Sequence, residues 1–131
     1  MSRRSARKGA FILLFQMEFA GASERETVKS VFFSENPDIP EEEKAFIIKE
    51  VDGVNSNIDE IDELIKSRAI GWDLSRMSKV DLSILRLAVY EMKFSGEITV
   101  NVAVNEAVEL AKKYSSDEAP SFINGILGKI A

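Results

Sequence analysis

Apolar residues recur along this chain at steps of three and four, with polar residues filling the turns between them. In residues 4–20, Phe11, Leu14 and Phe15 share one side with Ala10, Leu13 and Met17 beside them, a wide stripe that predicts an amphipathic helix. Gly21 and Ser23 punctuate it, a shorter helix follows over 24–33, and Glu35-Asn36-Pro37-Asp38 signals a turn. Pro40 stands where a first helical residue belongs, and Glu41, Glu42 and Glu43 suit the positive end of a helix dipole. Ile47, Val51, Val54, Ile58, Ile61 and Ile65 then form one long seam. Gly53 weakens that helix by about 1 kcal/mol relative to Ala, so a kink or break is expected there.

Gly71 ends the seam and Trp72 opens a second half, giving helical halves of about 1–70 and 72–131 within a single domain, 1–131. Ser78 with Asp81 three residues on reads as a capping box, with Asp where Glu is usual, ahead of Leu82, Leu85, Val89 and Met92. Gly96 breaks that helix. Residues 100–105 alternate as a strand would, but Ala103, Ala107, Leu110, Ala111 and Tyr114 continue from inside them at helical steps. A single strand would also leave its backbone unpaired, so helix is the expectation. Residues 116–120 read as a capped turn into a last helix, with Pro120 in its first turn and Phe122, Ile123, Ile126, Leu127 and Ile130 on its apolar face. The fold class is all-α.

Composition narrows the chemistry. With 131 residues, 45% of them hydrophobic, the chain can bury one core. There is no cysteine and no histidine, which removes Ser-His and Cys-His nucleophiles, the usual zinc and haem sites and a helical di-iron centre. No glycine-rich phosphate loop is present, since Gly125 and Gly128 are isolated in the last helix. Glu106 and Glu109 share a helix face, and two glutamates so spaced read as a solvated surface. No catalytic residue, metal or cofactor is therefore expected. The apolar run 10–15 is too short to cross a bilayer and lacks a signal-peptide cleavage pattern, so a soluble, cytoplasmic protein with no membrane partner is expected.

A formal net charge of −5 argues against nucleic acid until its distribution is considered. Residues 1–10 hold Arg3, Arg4, Arg7 and Lys8 and no acid, leaving 13 basic against 22 acidic groups elsewhere, a net of −9. Steps of three and four place the four cations together on the first helix. Cations at a helix N-terminus cost about 0.3–1 kcal/mol each, and an anionic partner would relieve that cost. Arginine forks suit phosphates, so the cluster reads as a contact for an anionic partner, with a solubilising N-terminus as the alternative. The aromatics Phe11, Phe15, Phe19, Phe46, Trp72, Tyr90 and Phe94 are expected to be mostly core. Phe122, at the start of the last helix, could stack on an unpaired base or serve as a cap contact.

Ser2-Arg3-Arg4-Ser5-Ala6-Arg7, Ile84-Leu85-Arg86-Leu87-Ala88-Val89-Tyr90-Glu91, residues 102–112 and Phe122-Ile123-Asn124-Gly125-Ile126-Leu127 together resemble the NusB family of bacterial transcription antitermination factors. The resemblance spans the chain and is most specific in its second half; residues 20–70 match only in helical pattern. It implies an all-α, NusB-like fold of two stacked three-helix bundles. It also implies binding of the single-stranded boxA element of nascent transcripts, above all of ribosomal RNA operons. NusE, a ribosomal protein, would share that task, in a complex with RNA polymerase and other Nus factors. By position, the RNA surface would run from Arg3, Arg4 and Arg7 toward Tyr114, Glu118 and Phe122, and the NusE-facing surface would include Phe15, Phe19 and Asp81. Ser5 interrupts the family's arginine run, and Ser121 stands where a basic residue often precedes Phe122, so fewer phosphate contacts are expected. Some members form a homodimer through the first helix that occludes the RNA site. The alternative to an RNA-binding factor is a purely protein-binding helical adaptor.

Overall fold

The computed structural model describes residues 3–131; Ser2 of the arginine-rich motif lies outside them. The described residues form seven α-helices and no strand: α1 (Arg3–Met17), α2 (Arg25–Glu35), α3 (Glu41–Ser56), α4 (Ile58–Arg68), α5 (Lys79–Lys93), α6 (Val100–Tyr114) and α7 (Ala119–Ile130). Helices α1, α2 and α3 pack together, as do α5, α6 and α7. Helix α4 joins the second group along α5 and α7, and α5 touches α1, α3, α4, α6 and α7. Its segment from Leu82 to Glu91 is almost entirely buried, because apolar side chains occur on both the 82-85-89 and the 84-87 stripes.

Local chemistry explains where the helices begin and end. Residues 100–105 are helical, started by Thr99, whose Oγ1 accepts from the Val102 amide at 3.4 Å. Pro40 is not the first residue of α3 but its N-cap, with extended backbone at φ −59° and ψ 147°, and its carbonyl accepts from the Lys44 amide. Helix α1 stops at Met17, short of residue 20. Residues 116–120 do not form a side-chain cap: α7 starts after Glu118 with no capping hydrogen bond. The capping box at Ser78 is half made. Ser78 Oγ accepts from the Asp81 amide at 3.0 Å, but the Asp81 carboxylate accepts instead from Ser115 Oγ at 2.5 Å, tying α5 to the end of α6.

The long seam breaks at Asn57 rather than Gly53. Asn57 takes φ −117°, and both its side-chain amide (2.8 Å) and its backbone N–H (3.2 Å) donate to the Gly53 carbonyl, terminating α3. Gly53 is small because α5 passes close by: a Cβ there would meet the Tyr90 ring and lie 2.5 Å from its hydroxyl oxygen.

The aromatics are less buried than expected. Phe11, Phe46 and Tyr90 are core, and Phe15 and Phe94 are half-buried. Phe19 and Trp72 are 66% and 51% exposed, because α1 ends before Phe19 and Trp72 sits on the connection between α4 and α5.

Candidate nucleic-acid interface

The basic start of α1 divides into unlike parts. Arg7 is not on the surface. Its Nε donates to both carboxylate oxygens of Glu91 at 3.0 Å and its Nη1 to Glu106 at 3.3 Å, with the Arg7 side chain 5% exposed. This corrects the placing of all four cations on one open face: position 7 points into the protein, where α5 and α6 supply carboxylates that helical spacing does not reveal. Glu91 is joined by a second buried acid, Glu50. Desolvation, with a hydrogen bond to Glu91 and its charge, pushes Glu50 up to about 9, so it holds a proton at neutral pH.

Arg4 is exposed and forked onto Glu106, Nε to Oε1 at 3.1 Å and Nη2 to Oε2 at 2.9 Å. Glu106 is therefore not the solvated glutamate expected. It is half-buried beneath two arginines, and the hydrogen bond from Arg4 leads in holding its carboxyl below the ordinary range. Arg3 stacks its guanidinium over the Phe46 ring at 4.7 Å, on α3.

Between α1 and α6 lies a groove of about 530 Å³. Arg4, Arg7, Lys8, Lys112 and Lys113 line it against two carboxylates, Glu106 and Glu109, so a chain of net negative charge presents a locally cationic trough. Tyr114 also lines it, its ring packed on Phe11 at 5.2 Å with Lys113 Nζ 5.4 Å from its centre. Lys112 and Lys113 were not singled out from sequence. They occupy the last turn of α6, where cations suit the negative end of the dipole and so read as ordinary helix chemistry.

The remaining expected residues fall in two other places. Phe122 and Glu118 line a groove of about 280 Å³ with Trp72 and Asp81, so an expected RNA contact and an expected protein contact share one cleft. The Trp72 and Phe122 rings meet edge to face at 5.3 Å. Phe15 and Phe19 lie at the far end of α1, T-shaped at 5.1 Å, with Lys79 of α5 above the Phe19 ring. Among the described residues no helix is long and apolar enough to cross a membrane.

Comparison with known proteins agrees with this architecture. The family model described as "NusB family" matches residues 4–131. The transcription antitermination protein NusB of Acetivibrio thermocellus is 48% identical over 130 residues, 99% of this chain and 88% of the relative. A crystal form of T. maritima NusB superposes with a TM-score of 0.90 at 35% identity, covering 100% of this chain and 91% of that one. A crystal structure of the antitermination factors NusB and NusE in complex with dsRNA matches at TM-score 0.87 and 27% identity, over 98% and 94% of the two chains. These relatives are transcription factors and not enzymes. With a family match over nearly its whole length and a shared all-helical fold, the chain belongs to the NusB family.

Proposed function

We propose that this chain is an RNA-binding antitermination factor that takes up the single-stranded boxA element of nascent ribosomal RNA transcripts together with NusE. It would act within the RNA polymerase elongation complex through other Nus factors. The carrying observation is the cationic trough of α1 and α6 on a chain of net charge −5, since such a local reversal of sign suits a phosphate backbone. Arg4, Lys8, Lys112 and Lys113 take phosphates there, and Tyr114 borders the path. Arg7 holds the trough's floor rather than a phosphate. Phe122 and Glu118 continue the RNA surface, while exposed Phe19, half-buried Phe15 and Asp81 face NusE. A homodimer through α1 would cover the same trough and compete with RNA.

Titrating labelled boxA and scrambled single strands, with and without NusE, tests this. Four phosphate contacts give a slope of log affinity against log salt near about −3, at roughly −0.7 per contact. Equal binding of both RNAs in the presence of NusE would overturn the boxA assignment. A salt-independent affinity, with R4A and a double K112A/K113A variant binding normally, would leave a protein-binding adaptor instead.

A further inference from the structure

Arg4 combines exposure with fixity. Its side chain is 77% exposed, yet Nε and Nη2 are both held by Glu106, whose own side chain is only 12% exposed. Glu106 in turn cannot follow a moving arginine. Its Oε1 also accepts from Arg7 Nη1 at 3.3 Å, and Arg7 is locked onto the buried Glu91 of α5. Four charged groups of alternating sign, Glu91, Arg7, Glu106 and Arg4, thus run from the core to the rim of the trough.

We propose that Glu106 is a positioning residue for RNA binding: rooted in the core through Arg7 and Glu91, it aims the Arg4 guanidinium so that its free edge meets a phosphate of the strand. The inference rests on the RNA-binding reading above and adds to it the residue that makes one phosphate contact ready before RNA arrives.

The geometry of the fork carries this. A guanidinium holds its N–H donors in one rigid plane with two edges that suit an oxyanion. Glu106 takes the Nε–Nη2 edge, and Arg4 Nη1 makes no hydrogen bond to a described residue, so the Nη1–Nη2 edge keeps a parallel pair of donors. An unheld arginine on a surface samples many rotamers and gives up that freedom on binding; for Arg4 the freedom is lost on folding. A carboxylate bordering an RNA site also repels the strand, so the two effects of Glu106 oppose each other. Glu109 separates them. It lines the same trough one turn further along α6 and pairs with Lys112 at 3.5 Å instead of gripping an arginine.

The test compares affinities of the full chain and its variants for labelled single-stranded boxA RNA in the presence of NusE. E106Q and E109Q each remove one negative charge from the trough, so electrostatics alone would strengthen both alike. E106Q should instead bind about 2- to 10-fold more weakly than E109Q, the usual penalty for immobilising one long side chain. In an R4A background the difference should vanish, because no guanidinium is left to aim. R4K should keep the salt slope of the parent but lose affinity, since an ammonium has no second planar edge to offer. In nitrogen-15 spectra of the RNA-free chain, the Arg4 Nε–H signal, identified by its loss in R4A, should exchange slowly in the parent and in E109Q and rapidly in E106Q.

E106Q binding as tightly as E109Q, or more tightly, would overturn the positioning role and leave the RNA reading standing. A deficit of E106Q that persists in the R4A background would trace to the packing of Arg7 and overturn it as well. Absence of RNA binding by the parent chain under all conditions would overturn both.

Discussion

Arg7 and Glu91 are 84 residues apart in sequence, yet their guanidinium and carboxylate meet at 3.0 Å with side chains 5% and 1% exposed. The pair joins the second turn of the first helix to the last turn of the most buried one. Removing one partner of such a pair strands the other in low dielectric. R7A should therefore lower unfolding free energy by about 3–5 kcal/mol. Denaturant melts check this, and any loss of RNA binding in R7A must be compared with R4A, which should leave stability nearly unchanged.

The second buried acid makes stability depend on pH. Glu50 titrates at about 9 in the folded protein, against an ordinary value of 4.5. Between those values the folded state retains a proton that the unfolded chain has lost, so this group's contribution falls as pH rises through the interval. E50Q keeps the shape of the protonated acid and its donor to Glu91. It should flatten the decline in thermal midpoint from pH 5 to 9, with the largest gain over the parent at the alkaline end. At the acid end Glu106 works in the opposite sense: the Arg4 hydrogen bond depresses it, and its contribution is lost as pH falls through its folded value.

Gly53 to Ala tests packing against propensity. Ala would favour an isolated helix by about 1 kcal/mol. In this fold its methyl meets the Tyr90 ring, which is buried and has little room to turn. Net destabilisation of about 1–3 kcal/mol is expected, the range for overpacked cores. A stabilised G53A in chemical denaturation would contradict the close approach of α3 and α5.

Lys112 and Lys113 are exposed and unrelated to the core, so K112A/K113A should fold with the parent's midpoint. Its salt slope should be shallower by about 1.4, at roughly 0.7 for each lost phosphate contact on a single strand. Measuring affinity at three or more salt concentrations separates that from a general loss of binding.

The helices were legible because apolar residues keep helical registers, and residues 100–105 show continuity outweighing a local strand pattern. What escaped was set by distant partners. The arginine at position 7 looks like its neighbours until Glu91 and Glu106 are brought to it. Asn57, not Gly53, ends α3, because a side-chain amide that captures a carbonyl acts more strongly than a flexible residue. The exposure of Phe19 and Trp72 was hidden because hydrophobic periodicity reports what could be buried, not whether a neighbour arrives. Lys112 and Lys113 were overlooked since cations at a helix C-terminus have a local explanation that satisfies every rule applied there.

Helix α5 lies against five of the other six helices. Its amide protons can therefore reach solvent only when nearly everything else has come apart. In hydrogen exchange those amides should be the last to be replaced, at a rate set by complete unfolding, while the short α2 exchanges first. The two helical groups then live and die together: neither outlasts the other in a protease, and a nick that frees one releases both.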